Sequence, residues 1–144
     1  MDFTILRLKL ASPLFYTPDD WREPFNCPEE GERLFCFTLD KVQGVSFEPK
    51  RDIFPGKLIF SGVPGKSEDY FELPEGDYYF SQEKRQLTGE EITEMAIEVQ
   101  LETLWQRSIP LERMYLRFLS EDGNRVTQIF RPCKDNYKRT ASTI

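Results

Sequence analysis

Histidine is absent from all 144 residues, and with it go the usual general base near neutral pH and the commonest transition-metal ligand. A histidine-dependent catalytic triad is therefore excluded. Cysteine is scarce: Cys27, Cys36 and Cys133 form neither a C-x-x-C pair nor an even disulfide framework. They read as free thiols, and three of them do not supply a four-thiolate zinc site. No apolar run exceeds a few residues, and Arg7 and Lys9 interrupt the N-terminal stretch. Neither a membrane-spanning helix nor a secretory signal is expected, which points to a cytoplasmic protein. Gly65-Lys66-Ser67 resembles the end of a phosphate-binding loop, but Phe60 stands where that loop needs its first glycine. The segment reads as a tight turn carrying a surface lysine. No cofactor or metal site is indicated.

What is present is aromatic and acidic. Twelve Phe, six Tyr and two Trp supply much of the apolar content, enough for one core in a single domain of 1–144. The net charge of −6 is uneven. One acidic segment runs from Asp19 and Asp20 to Glu32. A second comprises Glu90, Glu91, Glu94, Glu98 and Glu102, with no Lys or Arg among them. Residues 134–144 read as a flexible basic tail, in which Lys138-Arg139-Thr140-Ala141-Ser142 offers a possible phosphorylation pattern. Because counterion release needs a contiguous basic surface, nucleic-acid binding is not expected; nor is membrane binding.

Strand patterns dominate the first half of the chain. Phe3–Leu10 alternates apolar and polar residues and ends at Ser12-Pro13. Prolines at 13, 18, 24 and 28 exclude a long helix from Pro13 to Gly31, which reads as a loop whose Trp21 and Phe25 plug the core edge. Arg33–Leu39 and Gln43–Phe47 suggest a hairpin about Asp40-Lys41. Leu58–Gly62 lies between two Pro-Gly-Lys turns, and Tyr70–Leu73 and Asp77–Ser81 flank Pro74-Glu75-Gly76.

One helix is expected, over about Gly89–Arg107. Thr88-Gly89-Glu90-Glu91 has capping-box spacing, and no Pro or Gly follows until Pro110. Ile92, Met95, Ala96 and Val99 share one face; Ile97, Leu101 and Leu104 share another; Glu91, Glu94, Glu98 and Glu102 form a stripe between them. A helix lying on a sheet needs one apolar stripe. The second must therefore meet the 13–31 loop, a pocket or another chain, a second copy included. The acid stripe reads as a solvated side, with an external cationic partner or Arg85, Arg113 and Arg117 as possible counter-charges. The expected fold class is α+β: a mainly antiparallel sheet of seven to eight strands with this helix packed on it.

Arg113–Leu119 and Arg125–Arg131 read as two strands joined through Asp122-Gly123-Asn124. A three-residue loop groups Met114, Leu116 and Phe118 with Val126, Gln128 and Phe130, and is favoured because it buries more apolar surface. A two-residue Asp122-Gly123 turn instead groups Tyr115 and Arg117 with Gln128 and Phe130, a polar-aromatic surface.

Leu73-Pro74-Glu75-Gly76-Asp77-Tyr78-Tyr79-Phe80 is similar to the Leu-Pro-x-Gly-x-Tyr entry strand of the GyrI-like, or SOUL-related, ligand-binding fold. Gln128-Ile129-Phe130-Arg131-Pro132 resembles that family's closing strand. The resemblance covers residues 70–133 and implies two strand–helix units around a cleft for small, often cationic and aromatic molecules. The place of the family's cleft carboxylate is held here by Gln128.

Two functional expectations follow. In the first, a non-enzymatic domain binds a small aromatic or cationic molecule in a cleft between sheet and helix. Tyr78, Phe80, Trp105, Tyr115 and Phe130 form its walls and Gln128 the polar contact. In the second, an interaction or inhibitor module docks a basic protein through Glu91, Glu94, Glu98 and Glu102 and the second apolar face. No catalytic constellation is visible by spacing, although carboxylates and Cys133 keep an enzymatic reading open.

Overall fold

The computed structural model describes residues 3–21, 27–38, 58–106, 109–110 and 113–134, with the backbone alone for Leu104, Ile109, Pro110 and Lys134. In chain order the elements are β1 (Leu6–Leu10), β2 (Leu14–Pro18), β3 (Gly31–Thr38), β4 (Leu58–Pro64), β5 (Phe71–Leu73), β6 (Gly76–Glu83), α1 (Gly89–Trp105), β7 (Ile109–Pro110), β8 (Arg113–Glu121) and β9 (Asn124–Lys134). Eight strands form one antiparallel sheet in the order β1-β6-β9-β8-β3-β4-β2-β5, and the short β7 pairs with the end of β9. The fold is α+β, an antiparallel sheet with one helix upon it.

That order forces the sheet to curl. β1 and β2 stand six strand spacings apart, about 29 Å in a flat sheet at ~4.8 Å per spacing. Only residues 11–13 join them, and such a link spans at most ~14 Å. β5 and β6 are also six spacings apart and are joined by Pro74 and Glu75 alone. Both constraints are met only if the two ends of the sheet bend toward each other into a half-barrel.

The curl gives the sheet two buried faces. Inside, Tyr16, Leu34, Cys36, Leu73, Tyr78, Tyr115 and Phe130 pack together, with Leu8, Leu10, Phe71 and Phe80 partly buried around them. Outside, Phe35, Phe37, Tyr79, Met114, Leu116, Phe118 and Ile129 meet Ile92, Met95, Ala96 and Val99 of α1, all four fully buried. The expected core face of the helix is the observed one. Its start is the reciprocal cap anticipated from spacing: the Thr88 N–H donates to Glu91 Oε1 at 3.0 Å, and the Glu91 N–H donates to Thr88 Oγ1 at 3.2 Å. The helix ends at Trp105; Arg107 lies outside the described residues.

Two sequence expectations are corrected. Leu14–Pro18 is a strand within the supposed loop, because Pro13 precedes it and Pro18 is its last residue, where a missing N–H is tolerated. Trp21 does pack against the core edge, whereas Phe25 lies outside the described residues. The second correction is the β8–β9 register. Glu121 pairs with Asn124, so the turn holds two residues, Asp122 (φ 52°) and Gly123 (φ 82°). This left-handed pair matches the twist of the flanking strands. The area argument for the longer loop fails because both faces are covered. Met114, Leu116 and Phe118 face the helix side, while Tyr115 opposite Phe130 and Arg117 opposite Gln128 face inward. The Gln43–Phe47 strand, the Asp40-Lys41 and Pro55-Gly56-Lys57 turns and the tail at 135–144 lie outside the described residues.

Candidate functional site

The structure separates the six residues expected to line one cleft. Tyr78, Tyr115, Gln128 and Phe130 are buried on the inner face, with Phe80 partly buried beside them. Their rings fill the space themselves: Phe130 meets Tyr78 edge-on at 5.7 Å and Phe80 at 4.9 Å between ring centroids. Trp105 is elsewhere, at the C-terminal end of α1 and 81% exposed. A cleft between sheet and helix built from all six therefore does not exist. The helix covers the outer face of the sheet, and alternation sends five of the six to the inner one. Burial pushes the Tyr115 phenol up to about 12, with the field of Cys36 adding to it; burial likewise lifts Cys36 to about 12. Tyr78 is raised as well, chiefly by burial. These groups stay protonated and neutral at ordinary pH.

Beside this cluster runs a chain of polar contacts that the favoured register had hidden. Arg117 donates from Nε and Nη2 to the two oxygens of Glu32, each at 2.8 Å, and from Nη1 to Gln128 Oε1 at 3.2 Å. Gln128 Nε2 donates to Gln82 Oε1 at 2.7 Å, and the Tyr16 hydroxyl donates to Glu32. Burial is the largest single influence on the Arg117 pKa and lowers it, but the Glu32 hydrogen bonds and the fields of Tyr16 and Glu32 together carry the net shift upward. The ion pair is mostly buried, and its bidentate geometry offsets the desolvation of both charges. Gln82 and Gln128 also border a depression of about 400 Å³ at the β8–β9 end of the half-barrel, walled by Leu119, Glu121, Asp122, Asn124 and Val126.

The outer side carries a larger groove. Phe3 and Ile5, just ahead of β1, face Glu98, Leu101, Glu102 and Trp105 of α1 across about 690 Å³. Of the second apolar stripe of the helix, Leu101 lines it and is 40% exposed; Ile97 is partly exposed but not among its walls, and the Leu104 side chain lies outside the described residues. The acid stripe divides by position. Glu91 is taken up by the cap and by Arg85 at 2.8 Å, and the Arg85 hydrogen bond brings its pKa down to about 2. Glu94 is exposed. Glu98 accepts from the Phe3 N–H at 3.3 Å and Glu102 from Gln106 Nε2 at 3.0 Å, and both edge the groove. Of the other expected counter-charges, Arg117 is committed to Glu32 and Arg113 is exposed on β8.

Among the described residues no group of three His, Cys, Asp or Glu side chains is close enough to hold a metal ion, and no helix is long and apolar enough to cross a membrane. Phe3, Ile5 and the Tyr16–Glu32–Arg117 network were not singled out from the sequence. The available signals were the unexplained Ile97, Leu101, Leu104 stripe for the groove and the two-residue turn for the network. Comparison with protein-family models, curated proteins and solved structures finds no match, so the similarity to the GyrI-like fold rests on the short motifs in residues 70–133 alone.

Proposed function

We propose that this is a non-enzymatic binding domain whose working surface is the groove between α1 and the segment leading into β1. Its partner is a protein segment that seats an apolar side chain on Trp105 and Leu101 and brings lysine or arginine beside Glu98 and Glu102. The observation that carries this reading is Trp105, an indole left 81% exposed on a helix whose opposite face is fully buried. Aromatic anchors of this kind dominate binding energy at interfaces, and an acidic surround steers a basic partner toward them. Glu98 and Glu102 border the groove, and Glu94 of the same stripe is exposed.

The test uses a lysine/phenylalanine peptide as probe, with affinity measured by titration calorimetry and Trp105 fluorescence followed in the parent protein. Trp105→Ala should abolish binding while leaving stability within about 0.5 kcal/mol, as for other exposed positions. Charge reversal at Glu94 and Glu98 should weaken binding and flatten its salt dependence. Unchanged affinity in Trp105→Ala would refute the groove as the binding surface.

A second reading keeps the small-molecule expectation but moves it to the depression at the β8–β9 end, with Gln128 as the polar contact. It is supported by the amides of Gln82 and Gln128 at the border of that 400 Å³ space. Tryptophan fluorescence is the wrong probe for it, since Trp105 lies on the other side of the sheet. Titration of aromatic cations while following the side-chain amide resonances of Gln82 and Gln128 is the appropriate assay. Silence of both amides across the panel would remove this reading.

A further inference from the structure

The groove lies beside a sheet edge on which no described strand pairs. β1 is the last strand on its side and pairs with β6 alone among the described residues; no described backbone group bonds its outer edge. Leu6 on that strand is 55% exposed. Phe3 and Ile5 have the same parity as Arg7, which faces the helix side through its stacking on Tyr79. The hydrogen bond from the Phe3 N–H to Glu98 shows that the Glu98 and Glu102 flank of α1 is turned toward this end of the chain. A strand laid along the outer edge of residues 4–8 would therefore send every second side chain over the groove.

We infer that the partner segment binds as an added β-strand on the outer edge of β1. Its outward side chains alternate between an apolar residue against Leu101 and Trp105 and a basic residue at Glu98 or Glu102. This deepens the groove reading and rests on it. A second copy of β1 is disfavoured, because antiparallel pairing of two copies about Leu8 would set Arg7 opposite Lys9, like charges across a strand pair. An external segment can instead set its basic residue beside Phe3 and Ile5, where Glu98 and Glu102 lie, and an uncharged residue opposite Arg7 and Lys9. Helix α1 contains no Lys or Arg, so nothing within it opposes a basic side chain entering from the edge.

The experiment compares three synthetic peptides of identical residue composition and charge. In the first, every second residue is in turn lysine and then leucine or phenylalanine, with threonine between them so that both kinds share one strand face; the second is rearranged to helical spacing, and the third is the alternating one N-methylated at every second amide. Affinity is read by Trp105 fluorescence, and hydrogen exchange follows the amides of residues 4–8. The expected result is that the alternating peptide binds at least tenfold more tightly than either other and slows exchange at β1. Equal binding of all three peptides with Trp105 responding, but with no protection at β1, overturns strand addition and leaves the groove reading standing. If no peptide binds and Trp105 does not respond, the groove reading fails and strand addition with it. Protection of β1 that rises with protein concentration and needs no peptide names a second copy as the occupant and overturns the external segment.

Discussion

Gly62 is the position where the half-barrel is least tolerant of an added atom. It sits in β4 opposite Leu34 on one side and Pro18 on the other, and its backbone is not left-handed, so the requirement for glycine is one of space. A Cβ there would stand 2.6 Å from the Thr17 carbonyl oxygen and 2.8 Å from the Phe71 ring. The oxygen belongs to the adjacent strand and cannot rotate away. The ring is held by stacking on Tyr16, with centroids 5.8 Å apart and planes 19° from parallel. Forcing a methyl group into such a place costs about 1–3 kcal/mol, offset by ~0.5–1 kcal/mol because alanine loses less chain entropy than glycine. Two contacts under 3.0 Å put the strain in the upper half of that range, so Gly62→Ala should destabilise by about 1–2.5 kcal/mol, seen as a fall in Tm of roughly 3–8 °C and a lower urea midpoint at unchanged slope. Adding Phe71→Leu to the variant should recover the ring's share of this clash but not that of the Thr17 oxygen. A Gly62→Ala protein as stable as the parent would refute the close approach of β2 to β4, and with it the sharp curl that brings Phe71 over Gly62.

Other outcomes follow from the same contacts. Glu91 has its pKa depressed from 4.5 to about 2, so its contribution to stability is complete above pH 4.5 and disappears as pH falls toward 2. Urea midpoints measured across that window should decline less steeply in Glu91→Gln, and parallel slopes would count against the cap and the Arg85 contact. Arg117→Met removes three donors from the mostly buried Glu32 and Gln128 and should cost about 3 kcal/mol. Pairing it with Glu32→Gln should return part of that loss, and a single-variant cost under ~1 kcal/mol would show the network to be dispensable.

Local rules were enough for α1, because a capping box, an uninterrupted run of helix-compatible residues and the Ile92, Met95, Ala96, Val99 spacing are all consequences of nearby sequence. The same holds for β3, β6, β8 and β9 as strands, whose alternation or aromatic content is readable in isolation, whereas the length of the turn between β8 and β9 was not. The second apolar stripe of α1 was legible as a surface in need of a neighbour, and its Leu101 is a groove wall. Its opposing wall, Phe3 and Ile5, was not legible, since residues about a hundred positions apart meet only once β1 has joined β6.

What the amino-acid order by itself determined was the identity of most elements, β2 excepted, and the helix face turned to the core. Strand order belongs to the tertiary structure, and it decided nearly everything about the candidate sites. Two short links between strands at opposite ends of the order bend the sheet, bending buries its inner face, and a doubly buried sheet has no solvent side to set the register. The choice between placing Tyr115 or Leu116 beside the helix then falls to the Asp122-Gly123 turn, whose left-handed backbone follows strand twist rather than side-chain hydrophobicity. That turn sends Tyr115 and Arg117 inward to Phe130 and Gln128, while Trp105 stays outside on the helix: residues of similar chemistry, parted by a sheet whose path no local pattern encodes.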